Sequence, residues 1–144
     1  MAVSQARSVV ARIVGQVFVC AHSPEAPRDD EWDRMLAHYR NAPNYSALRI
    51  LVHTDGGNPN PAQRSRLIAA FLGRSVPVAV VTLSETARSA SVAVRWFQPL
   101  LRLFEPTDFE GALTYLEIEG NERLEVRRAL VELRAELRGS AAPS

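Results

Sequence analysis

The stretch "ILVHTDGGNPNPAQRSRL", Ile50 to Leu67, joins two structural signals across one loop. Leu48 to Val52 is a nearly unbroken apolar run, the pattern of a strand covered on both faces. His53, Thr54 and Asp55 follow, then Gly56-Gly57 and two Asn-Pro steps, which punctuate a loop. Asn60 before Pro61 predicts a helix start, with Asn as cap and Pro in the first turn. Strand, loop and helix in this order make one half of a parallel β-α-β unit.

The same alternation extends in both directions. Upstream, Ser8 to Val14 and Gln16 to Ala21 read as two strands joined at Gly15, a hairpin. "SPEAPRDD" is a loop, and Asp29 or Asp30 caps a helix that turns Trp32, Met35, Leu36 and Tyr39 to one side. Downstream, Leu67, Ile68, Phe71 and Leu72 form the apolar side of the helix begun at Pro61, and Gly73 ends it. Val76 to Leu83 is a further buried strand. Ser84 caps a helix to Phe97, with Val92, Ala93 and Trp96 spaced to face inward. Leu100 to Phe104 is a short last strand, and Thr107 or Asp108 caps a helix over residues 109–116. After Gly120 and Asn121 a charged helix runs from about Glu122 to Arg138.

The expected order is therefore β-β-α-β-α-β-α-β-α-α. It predicts a mixed, mostly parallel α/β sheet of four to five strands with an antiparallel N-terminal hairpin and helices on its faces. One domain covers residues 1–138, with 117–138 as its C-terminal helix, and 139–144 form a disordered tail. A chain of 144 residues with 47% apolar content is long enough to bury a real core.

Composition narrows the function classes. The net charge of +1 lacks the basic excess of a nucleic-acid binder. All 17 basic residues are Arg, the bias of a G- and C-rich genome. Five of them and the single acid Glu85 lie between Pro61 and Leu100, either a basic face or solvated arginines on two helices. The single cysteine, Cys20, forms no internal disulfide, and no run approaches a membrane span. With no signal peptide evident, a cytoplasmic chain that touches neither membrane nor nucleic acid is expected.

Hairpin first, then repeated helix–strand units, resembles STAS domains and the wider SpoIIAA-like group. The likeness covers roughly Ser8 to Leu116 and is carried by "VGQVFV" and by "LRILVHTDGGNPNPAQRSRLIAAF". The resemblance implies a non-catalytic bacterial regulatory module. It would bind a protein partner, a kinase or another signalling protein, through the segment where STAS domains keep a phosphorylation switch. On this chain the docking residues would be Thr54, Asp55, Gly56, Gly57, Asn58 and Asn60, with Ser84 nearby. The STAS motif is Asp, then Ser or Thr, then any residue, then Gly. Aligning Asp55 with the Asp puts Gly56 on the acceptor and Asn58 on the Gly. Sliding back two residues makes Thr54 the candidate phosphoacceptor with Gly56 as the Gly, but His53 then replaces the Asp.

Function in parallel sheets collects at the carboxyl ends of strands. Those ends carry Cys20 and His22, then His53, Thr54 and Asp55, then Thr82, Ser84 and Glu85. Cys20, His22, His53 and Asp55 along one edge offer the alternative of a small-ligand or phosphate-binding module, or a weak enzyme. The spacing fits no metal motif, and Gly56-Gly57 without Lys fits no phosphate loop, so neither metal nor cofactor is expected. In the last helix Val126, Leu130, Leu133 and Leu137 form a narrow apolar seam, which either packs on its own sheet or joins a second copy in a homo-oligomer.

Overall fold

A computed structural model of the chain describes residues 7–141, with side chains to residue 139. Its strands are β1 (Val9–Val14), β2 (Val17–His22), β3 (Arg49–Thr54), β4 (Val78–Val81) and β5 (Leu101–Phe104). Its helices are α1 (Asp29–Arg40), α2 (Pro61–Ala70), α3 (Glu85–Arg95), α4 (Phe109–Tyr115) and α5 (Gly120–Ala141). The sheet order is β1-β2-β3-β4-β5, with β1 antiparallel to β2 and every other pair parallel. This is the mixed, mostly parallel α/β architecture expected, with all five strands present. No helix among the described residues is long and apolar enough to cross a membrane.

Strand order and handedness place the helices. Each parallel crossover moves one strand further in the same direction, so right-handed connections put α1, α2 and α3 on one face. There Phe18, Cys20, Ile50, Val78 and Val80 meet Trp32, Leu36, Ala70 and Val94. α4 and α5 cover the other face, where Val17, Val19, Leu51, Ala79 and Val81 meet Leu113, Leu116 and Val126. Every residue of β2 and β4 is buried, as strands covered on both sides should be.

Local signals explain the turns. Asn60 and Gln63 form a reciprocal capping box at the start of α2, with Pro61 in its first turn. The Ser84 hydroxyl accepts from the Ala87 amide at the start of α3. α1 differs from expectation, because its cap position is Arg28, which makes no side-chain cap bond. Asp29, Asp30 and Glu31 lie inside the first turn, where their charges favour the helix dipole.

Side-chain orientations in and after α2 and α3 depart from the sequence reading. α2 stops at Ala70, and the chain turns left-handed at Leu72 (φ 54°) and Gly73. Leu72 thereby leaves the helical face and stands 54% exposed, Ile68 is only half-buried, and Gln63 is buried instead. α3 carries two apolar stripes. The smaller one, with Ala87 and Val94, faces the sheet, while Val92, Ala93 and Trp96 point outward, Trp96 being 85% exposed. Crossover geometry sets the inner stripe, and bulk alone misleads.

The seam of α5 is settled as well. Val126, Leu130, Leu133 and Leu137 are all buried in the core on the β1–β2 side. α5 also continues to Ala141, past the expected end at Arg138, and the remaining tail residues 142–144 lie outside the described residues.

Candidate functional site

β3 extends two residues beyond Val52, so His53 and Thr54 belong to the strand and not to the loop. This fixes their facing. Alternate residues of a strand point to opposite sides. His22 pairs with Thr54, and Ala21 with His53. Cys20, His22 and Thr54 therefore look toward α1, α2 and α3, whereas His53 shares the α5 side with Leu51. The single edge of Cys20, His22, His53 and Asp55 is split into two groups by the sheet.

On the first side lies a cavity of about 100 Å³ between the sheet and α1, α2 and α3. Its walls are almost wholly apolar and include Phe18, Trp32, Met35, Tyr39, Phe71 and Val80. It exists because the helix residues that face it are small: Ala87, Ala90 and Ser91 on α3 leave space that larger side chains would fill. Thr54, Gly57, Asn58 and Pro59 close its end at the carboxyl edge.

The polar groups of this wall are mostly satisfied. The Trp32 indole donates to the Gln63 carbonyl at 3.0 Å, and Ser91 donates to the Ala87 carbonyl at 2.9 Å. Thr54, only 4% exposed, donates to the Gly57 carbonyl at 2.7 Å and accepts from the Gly56 amide. Its hydroxyl is thus held inside the loop. It also stands seven positions before Pro61, away from the N-terminus of α2 where an added phosphate would be stabilised.

His22 is the exception. Its Nε2 lies 3.5 Å from Cys20 Sγ, and its buried Nδ1 has no hydrogen-bond partner among the described residues. Burial, then the charge of His53, lowers its pKa to about 4. Burial pushes the Cys20 thiol up to about 12. A neutral thiol beside a neutral imidazole lacks the thiolate that nucleophilic catalysis needs. Nothing in this arrangement positively indicates an activated nucleophile.

On the opposite side of the sheet edge, His53, Thr54, Asp55, Leu83, Ser84 and Pro106 line a polar recess of about 260 Å³. Asp55 Oδ1 lies 4.0 Å from His53 Nδ1 and 3.9 Å from an Arg134 nitrogen, so the three form a loose charge cluster. Burial, then Arg134, lowers the His53 pKa, and Asp55 partly offsets this. Among the described residues no group of three or more His, Cys, Asp or Glu is placed to hold a metal.

The loop that the sequence singled out is shaped by close backbone approach. The Gly57 amide donates to the Ser23 carbonyl at 2.8 Å. A Cβ on Gly57 would come within 2.3 Å of the Glu25 carbonyl oxygen. Gly56 has φ 138°, open to glycine alone. Asn58 donates to the Gly56 carbonyl, and Asn60 is occupied in capping α2. Ser84 and Asp55 remain near the surface beside this loop.

The cavity itself was missed by sequence reasoning. Its one linear trace is the series of small residues Ala87, Ala90 and Ser91 on the face of α3 that also carries Val94.

Comparison with protein-family models, with curated proteins and with solved structures found no match for this chain.

Proposed function

We infer that this domain is a non-catalytic binding module that receives a compact apolar molecule between its sheet and α1, α2 and α3. One observation carries the reading: the cavity of about 100 Å³ is concave and its walls are almost wholly apolar. Binding pockets for small molecules are mostly apolar with a few convergent polar groups. For scale, an engineered apolar cavity of ~150 Å³ holds benzene. One ring is therefore the upper size limit, reached with a small outward shift of α3. Ligands stabilise the state they bind, so thermal unfolding in the presence of benzene, toluene and cyclohexane tests the reading. A rise in melting temperature that Ala90→Leu abolishes supports it. No shift with any of the three rejects it.

A second reading keeps the likeness to STAS domains and makes the module a protein-docking regulator. The exposed Leu83, Val92, Trp96 and Phe97 favour it, since exposed large apolar side chains mark interaction surfaces when they are contiguous. Asp55, Asn58 and Ser84 would then supply the polar rim beside the loop. Affinity capture from extract with wild type and Trp96→Ser separates the two readings, because loss of a specific protein in the variant belongs only to docking.

A further inference from the structure

We propose that two copies of this chain join edge to edge through β1, pairing antiparallel about Ala11, so that their two five-stranded sheets become one.

The outer strands of the sheet are β1 and β5, and their edges are built differently. β5 is blunted. Its Leu101 amide donates to the Gln98 carbonyl at 3.0 Å, and the Leu101 carbonyl accepts from Arg95 Nε at 3.1 Å. β1 has six residues against the four of β5 and contains no Pro. Its register with β2 runs unbroken from Val9 to Val14. An open edge of this kind is a template for another strand, and chains that stay single disrupt or cover it.

The ladder fixes which backbone groups face outward. The Ser23 amide donates to the Ser8 carbonyl at 3.0 Å. In the alternation of an antiparallel pair, Val10, Arg12 and Val14 then turn their backbone groups to β2, and Val9, Ala11 and Ile13 turn theirs away. The Val9 amide is taken by the Glu31 carboxylate. Among the described residues, no hydrogen bond reaches the amides or carbonyls of Ala11 and Ile13, or the Val9 carbonyl.

These groups complement themselves across a twofold axis at Ala11. Each Ala11 amide donates to the partner's Ala11 carbonyl, and each Ile13 amide donates to the partner's Val9 carbonyl. Every free outward donor is used, and the amide that Glu31 holds is not needed. Neighbouring registers fail. Centring on Arg12 sets two arginines directly opposite each other. Centring on Ile13 sets Ala11 against the partner's Gly15, yet the Gly15 carbonyl already accepts from Asn44 at 3.2 Å.

Side chains fit the same register. Val9, Ala11 and Ile13 face the α1 side of the sheet. Val9 stands opposite the partner's Ile13, a β-branched cross-strand pair. A recess of about 310 Å³ walled by Val9, Ala11, Met35 and His38 lies on that side and has room for the partner's Ile13 side chain. On the α5 side Arg12 is drawn back onto Glu132 and Glu136. A charge that otherwise keeps edges apart is thereby neutralised.

Sedimentation equilibrium of the full chain over a wide concentration range tests this. The expected mass at high concentration is twice 15.9 kDa. Ala11→Pro removes the central donor, and because that amide faces away from β2 the substitution costs no bond of the ladder. It is expected to weaken dimerisation by about tenfold or more, with far-UV circular dichroism unchanged. A single-chain mass at every concentration overturns the proposal. So does a dimer that folded Ala11→Pro leaves intact, and one that Trp96→Ser abolishes in its place belongs to α3. If Ala11→Pro does not fold, amide hydrogen exchange of wild type decides. The Ala11 and Ile13 amides are expected to be protected at high concentration and to exchange freely on dilution, while Val10 and Arg12 stay protected at both. Fast exchange of Ala11 and Ile13 at both concentrations overturns the pairing.

Discussion

His22 and His53 sit on adjacent parallel strands one register step apart, and they face opposite sides of the sheet. Both are buried and both have lowered pKa values, yet they serve separate environments. His22 looks into the apolar cavity. His53 looks toward Asp55 and Arg134.

The first consequence is a pH dependence of stability. His22 has a folded pKa of about 4, below the ordinary value near 6.5. Between these values the unfolded chain binds more protons, so stability is full above about pH 6.5 and falls as the pH drops toward 4. The loss amounts to on the order of 3 kcal/mol across that window. His53 acts in the same direction. Urea unfolding of wild type and His22→Leu at pH 7 and pH 4.5 checks this, and the variant should lose much less stability than wild type.

Filling the cavity should stabilise the fold. Ala90→Leu adds three carbons against a wall that lacks packing partners, with no cost in helix propensity. A gain of about 1–2 kcal/mol is expected, after some strain is subtracted. Thermal unfolding should rise by roughly 3–6 °C. A loss of stability would mean that the space beneath α3 is already filled.

Gly57 should tolerate no side chain. In Gly57→Ala the new carbon would meet the Glu25 and Ser23 carbonyl oxygens, which are backbone atoms and do not swing aside. A cost of about 2–3 kcal/mol is expected. Because Gly57 also lines the cavity, toluene binding should weaken in the same variant, which a titration would read.

Trp96→Ser should leave stability within about 0.5 kcal/mol, because the indole touches little of the folded chain. Solubility at high concentration should improve as exposed apolar surface is removed. Chemical denaturation and light scattering check the two halves. A cost above about 1 kcal/mol would show that the outer face of α3 is packed in solution.

Much of the architecture is legible in the sequence because its signals are local. The apolar run ending at Val52, the Asn60-Pro61 start and the Ser84 cap each specify one boundary through nearest-neighbour chemistry. The site is less legible because it depends on parity and absence. Two extra strand residues after Val52 decide which side His53 faces, and no single residue announces them. The inward stripe of α3 is its less bulky one, so ranking by size selects Trp96 where geometry selects Ala87 and Val94. Thr54 looks like a free loop hydroxyl until the Gly57 carbonyl is seen above it.

The path of α5 bears on how the chain is made. Each strand pairs only with its predecessor or successor along the chain, so the sheet can be laid down from its first hairpin onward as synthesis proceeds. The helix that seals β1 and β2 is nonetheless made after all the other described elements. Until its final turns emerge, Val10, Val17, Val19 and Ala21 lack their cover of Val126, Leu130 and Leu133. A nascent chain arrested before α5 should therefore hold a greasy, aggregation-prone face and attract chaperones, and the synthesis of α5 becomes the step that completes the described fold.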